Sequence, residues 1–358
     1  MKTALHFLVA IVCSMATLQA YTAEVDQFRI PDRALRDSGF LLQEEVQRRI
    51  DEALEQANRR VLKPGARAKS GPIYKPRKCR QDKLYDALQW QFARPVIGQL
   101  ESFAEQSERI DKAVVSFAES IYQDFLWPES PSLVLSERIS AVINVHGIEI
   151  GTDKLGHFFT EGFSYFEATE QLNKNIEFGL HLGRWTESLY FGAQTTGVFS
   201  YADLVANLNG LRFWNRILAN QPDPLSQKVV SPYIECHDKE WRQVSQFSWQ
   251  PYVDLAWNES INCSALRTSH LLDKVASHQP LCQPELLPIA KYQVEDWDIL
   301  NVQGLKVMEK EMEPEMLVWE KAKLSDTNPP ASLIAKLRAV RLNWEAWRHE
   351  LALDTQQK

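Results

Sequence analysis

GTDKLGHFFTEGFSYFEATEQ, residues 151–171, is the best-formed segment of the chain and reads as a helix. On it Asp153, His157 and Glu161 follow one another four residues apart and share one face, while Leu155, Phe158 and Phe159 supply an apolar surround. At a rise of about 1.5 Å per residue the outer two polar groups stand about 12 Å apart, too far to share one metal ion. Asp153 and His157 are close enough to share a metal or a proton, and a third group must then come from elsewhere. The neighbouring Lys154 adds a cation to the same turn.

A second stretch supplies such groups. In ESLYFGAQTTGVFSYADLVANLNG, residues 187–210, Glu187 and Gln194 precede a turn and Ser200 opens a helix running from Tyr201 to Leu218. Asp203 and Asn207 lie one turn apart on that helix, and Gly210 lets a partner helix approach closely. Each of these residues also has a structural reading. Thr152 suits an N-cap with Asp153 at the positive end of the helix dipole. Ser200-x-x-Asp203 has the spacing of a capping box, and His157 can be a satisfied core histidine. Taken together, two sets of ionisable groups within one apolar helical unit must bond to each other, because isolated buried charge is too costly.

The order Asp153-Lys154-x-x-His157-Phe158, Glu187, Gln194, Ser200-x-x-Asp203, Asn207-x-x-Gly210 resembles the VanZ-like family and the related YfiM-like exported proteins. The resemblance covers residues 151–210 and implies a role in the cell envelope without a defined chemistry. VanZ-like proteins carry these residues on membrane helices, whereas the helices here are too polar to span a bilayer.

Outward from this core the pattern stays helical. Phe40 to Val61 is amphipathic, with Leu42, Val46, Ile50 and Leu54 at helical spacing. Arg59 to Arg80 is rich in Lys and Arg, lacks acids, and is interrupted by Pro64, Gly65, Gly71, Pro72 and Pro76. It reads as a solvated linker, with contact to an anionic envelope lipid or glycan as the rival. Helical patterns resume at Asp82 to Phe125, at Ser136 to Val145, and in the tail at Val302 to Lys323 and Ala331 to Leu353. Alternation of period two is scarce. The expected fold is therefore all-α, a soluble bundle-like core with a disulfide-stapled, loop-rich C-terminal part. Its expected divisions are 1–20 (signal), 21–81 (first helix and basic linker), 82–230 (helical core), 231–292 (cysteine-bearing) and 293–358 (terminal helices).

The first residues, MKTALHFLVAIVCSMATLQA, place Lys2 before an apolar run from Phe7 to Val12 and the small Ala20 after it, as in a cleaved secretory signal. Val12 before Cys13 does not suit a lipid-anchored cysteine. Cys79, Cys236, Cys263 and Cys282 follow, an even set that suits two disulfides in an oxidising compartment, with Cys263–Cys282 the local pair. Localisation is thus expected to be periplasmic or secreted. A net charge of -7 over 358 residues argues against nucleic acid as a general partner.

Two function classes follow. One is a non-catalytic scaffold or binding protein in which the cluster fixes helix packing. The other is a hydrolase-type enzyme acting on an envelope lipid or glycan. There His157 would be the general acid/base, Asp153 would orient it, and Asp203 or Glu187 would complete a base or a divalent-metal site. Lys154, Gln194, Ser200, Asn207 and Glu161 would support either arrangement. His146, His181 and Arg184 flank it.

Overall fold

The computed structural model describes residues 31–59, 62–68, 71–74, 78–94, 98–123, 130, 133, 136–171, 179–180, 183–184, 186–187, 192, 196–261, 264–266, 274 and 292. The expected signal sequence, Gln194, His181, Cys263, Cys282 and both expected tail helices lie outside the described residues.

Leu42, Val46, Ile50 and Ala53 recur on one side of Gly39–Ala57 and are fully buried, which makes this segment helix α1. Its buried stripe meets Leu84, Leu88 and Phe92 of α2, Gln81–Phe92. Within the basic stretch, strands β1 (Leu62–Ala68) and β2 (Gly71–Tyr74) pair antiparallel, with an irregular register between Leu62 and Arg67. A helix α3 follows at Gln99–Gln106, and a short strand β3 at Lys112–Ala113.

The expected helix at Ser136 to Val145 is instead strand β4, Val142–Val145, paired with β5, Ile148–Gly151, and with β3. His146 (φ 54°) and Gly147 (φ 87°) both adopt the left-handed conformation that a two-residue hairpin turn of this hand requires. The β-branched run Val142-Ile143-Asn144-Val145 favours a pleated, half-buried surface over a helix. Further antiparallel pairs join β6 (Val198–Phe199) to β9 (Ala265–Leu266) and β7 (Ile234–His237) to β8 (Glu240–Gln243). The fold is therefore mixed, helices with small antiparallel sheets, and not all-α. The helical reading of Asp82 to Phe125 likewise ends at Gln106, beyond which the described residues hold only β3 and a single turn at Phe117–Glu119.

The central pair is α4 and α5. Helix α4 starts at Asp153–Gly156, widens into a π turn at His157–Glu161, returns to α geometry at Gly162–Phe166 and widens again at Glu167–Gln171. Helix α5 is Tyr201–Arg216. They meet where Gly162 faces Gly210, and a Cβ on Gly210 would lie 1.9 Å from the Phe158 carbonyl oxygen. The Trp214 indole N–H donates to the Phe159 carbonyl at 2.9 Å and fastens the same crossing.

Residues 233–257 pack into this core. Phe158 has Trp249, Tyr252 and Trp257 around it, with ring centroids 5.4, 5.4 and 5.6 Å away. Cys79, just before α2, is bonded to Cys236 on β7, so the staple ties the early chain to this later hairpin. No helix among the described residues is long and apolar enough to cross a membrane.

Candidate functional site

The hairpin β4–β5 delivers the chain to Thr152, and α4 begins at once. Thr152 does not cap it. Its hydroxyl donates instead to Glu105 Oε1 of α3 at 3.2 Å. Ser200 does cap α5, its Oγ accepting from the Asp203 N–H at 3.2 Å. The reciprocal half of a capping box is absent, because the Ser200 N–H donates to Glu187 Oε1 at 2.9 Å. The Asp203 carboxylate is thereby left to face α4.

There it bridges two cations. Lys154 Nζ lies 2.5 Å from Asp203 Oδ1, and His157 Nε2 lies 3.1 Å from Asp203 Oδ2. Lys154 also reaches Asp153 Oδ2 at 2.6 Å and Glu259 Oε2 at 3.0 Å. An ammonium has three hydrogens, and here it meets carboxylates from α4, α5 and the 259 region. All of these groups are sealed. Lys154 and Asp203 are 0% exposed, Asp153, Glu187 and Glu259 1%, and His157 4%.

Behind the imidazole sits Asn207. Its amide lies 3.1 Å from His157 Nδ1. With its nitrogen turned toward the ring, that amide also donates to the backbone carbonyls of His157 and Asp203 at 3.2 Å and accepts from the Tyr165 hydroxyl at 3.3 Å. In this orientation the two amide hydrogens are shared among three acceptors. Nδ1 is then an acceptor, and the ring proton sits on Nε2, facing Asp203. A second proton, on Nδ1, requires the amide to turn its oxygen to the ring.

Burial opposes charge on His157, but the adjacent Asp203 carboxylate outweighs it and holds the imidazole well above its ordinary pKa. Burial also opposes ionisation of Asp203, and His157 with Lys154 overcomes it, so that carboxyl lies below the usual range. Glu187 goes the other way, raised well above the carboxylate range by burial and then by the charge of Asp203. Glu259 is raised by burial although Lys154 opposes the shift.

Asp153, Lys154, His157, Asp203 and Asn207 are thus brought into direct contact, and Glu187 and Ser200 adjoin them through the α5 cap. Glu161 is half-buried and acts on His157 through its charge. Arg184 is buried, whereas His146 sits exposed on the hairpin turn, its N–H donating to Asp37 at 2.9 Å. Glu259 was not among the expected residues. It lies 105 positions from Lys154, and its local sequence, Asn258-Glu259-Ser260, matches a glycosylation sequon rather than a site motif.

Two surface clefts lie elsewhere among the described residues. One, of about 440 Å³, is floored by Tyr85, Phe163 and Phe166, and the other, of about 490 Å³, lies beside Arg49 and Phe103. No member of the cluster lines either.

No protein-family model matches the chain, and no curated protein or solved structure is significantly similar to it.

Proposed function

We propose that the protein is an exported cell-envelope scaffold or binding protein whose helices are held in register by a buried acid–base lock. The observation that carries this reading is Lys154, fully buried and ion-paired to Asp153, Asp203 and Glu259 from three parts of the chain. Removing one partner of such a set strands a charge in the interior, a loss of about 3–5 kcal/mol. The lock therefore acts on the placement of α4 against α5, on which the rest of the core is stacked. The experiment is thermal unfolding of Asp203→Asn and His157→Ala. Both are expected to melt well below wild type, and unchanged melting would refute the lock.

Export is supported by the secretory pattern of residues 1–20 and by the Cys79–Cys236 bond, which needs an oxidising compartment to persist. Thiol labelling of the denatured, non-reduced protein from a periplasmic fraction is expected to find almost no free thiol. Two or more labelled cysteines would argue against two disulfides.

The hydrolase reading has the His157–Asp203 pair in its favour, since a carboxylate beside an imidazole is the arrangement of a general base. A base must also reach a substrate atom. At 4% exposure His157 does so only if the surrounding side chains part. An envelope lipid or glycan remains the substrate class for that reading.

A further inference from the structure

We propose that the lock holds a divalent transition-metal ion on Asp153, His157 and Asp203. The inference rests on the reading of these residues as a buried lock and names what completes it. Each of the three offers one ligand atom, and these atoms lie within 4.8 Å of one another. Nitrogen and oxygen donors on a tetrahedral ion such as zinc stand about 3.4 Å apart, so an inward shift of about 1 Å brings the set to bonding distance.

Two further observations point to a cation. Asp153 Oδ1 has no hydrogen-bond partner among the described residues, although its side chain is 1% exposed. Asp203 meets its two cations through one oxygen each, which leaves each buried oxygen a further lone pair. Carboxylate lone pairs buried and poorly used in this way suit an ion, which imposes little direction of its own.

The geometry around the imidazole also fits. With the Asn207 amide oxygen turned toward the ring, His157 Nδ1–H donates to it across 3.1 Å, the kind of outer contact that fixes the orientation of a ligating histidine. It opens the π turn of α4, a distortion found often at functional sites. One imidazole and two carboxylates favour zinc, cobalt, manganese or iron(II) over calcium and magnesium, which prefer all-oxygen sites. With an ion in place, Lys154 keeps Glu259 as its partner.

Because the site is sealed, the test loads it during folding. The disulfide-intact protein is unfolded in guanidinium, refolded with CoCl2, ZnCl2, MgCl2 or EDTA, and freed of loose metal. We expect one equivalent of cobalt or zinc retained, a cobalt ligand-field absorption and, once free metal is restored to about a hundred times Kd, a Tm rise of about 5–10 °C. Magnesium should give none of these. Asp153→Asn and His157→Gln should lose retention, while His237→Gln, at an exposed surface pair with Glu235, should keep it. Wild-type stoichiometry and absorption stand even if a variant fails to fold. No retained metal in wild type, or equal retention in Asp153→Asn and His157→Gln, overturns the proposal. The lock is tested separately in EDTA. If its variants still melt early there while wild type binds no metal, only the metal assignment falls.

Discussion

Two charged clusters in this molecule use similar side chains to opposite effect. On α1, Glu45 lies between two guanidinium groups, 2.6 Å from Arg48 and 2.7 Å from Arg49, with half of the Arg48 side chain in water. Burial opposes its ionisation, but the two arginines prevail and its carboxyl falls below the ordinary value. Between α4 and α5, several acids share one ammonium and one imidazole out of reach of water, and Glu187 and Glu259 rise instead. The difference is the ratio of cations to acids and the access of solvent. A buried acid well supplied with cations is stabilised as an ion, whereas a sealed surplus of acids is either protonated or neutralised by something more.

The largest expected contrast comes from deleting a cation in each place. Lys154→Ala strands three carboxylates and should cost about 3–5 kcal/mol, read by denaturant unfolding. A loss below about 1 kcal/mol would put the inner cluster in the same class as the outer one.

Gly210→Ala tests whether the inner cluster depends on the close crossing of its two helices. The added methyl would strike the Phe158 carbonyl and should cost about 1–3 kcal/mol, with the loss visible in Tm. An unchanged Tm would mean that the α4–α5 contact has slack.

The two clusters should also respond to pH with opposite sign. The folded pKa of Glu187 lies above its ordinary 4.5, so the stability it contributes is present below that pH and is lost as pH rises through the folded value. The folded pKa of Glu45 lies below its ordinary 4.5, so its contribution is present above that pH and is lost as pH falls through the folded value. In EDTA, wild type should lose more stability than Glu187→Gln as pH rises above the ordinary 4.5, measured as Tm. Parallel curves would contradict the sealed-acid account. The smallest effect is Arg48→Ala on the surface, expected at about 0.2–1 kcal/mol in the same unfolding assay.

How much of this was legible in the sequence depends on whether the relevant contacts are local. α1 and α5 announce themselves because their apolar residues repeat every turn and Ser200 caps the second. Asp153, Lys154 and His157 lie on one helix, and Asp203 and Asn207 on another, so their gathering follows from the cost of burying them apart. The hairpin Val142–Gly151 departs from the expected helix because a short apolar run carries no decisive period. Its turn is His146-Gly147 rather than the more telling Asn-Gly. The π turn at His157–Glu161 left no local signature, and neither did Glu259, whose partner is distant in the chain. The cysteines make the same point. The short spacing singled out Cys263 with Cys282, both outside the described residues, while the bond observed joins Cys79 to Cys236 across 157 positions.

The most direct test of the lock is a double-mutant cycle between Lys154 and Asp203, using Lys154→Met, Asp203→Leu and the pair, in EDTA with unfolding free energy as the readout. If the two charges hold α4 to α5 through each other, the double variant should be less damaged than the sum of the singles by more than about 1 kcal/mol. Additivity within about 0.5 kcal/mol would mean that they contribute independently, and the claim of a shared buried lock would be wrong.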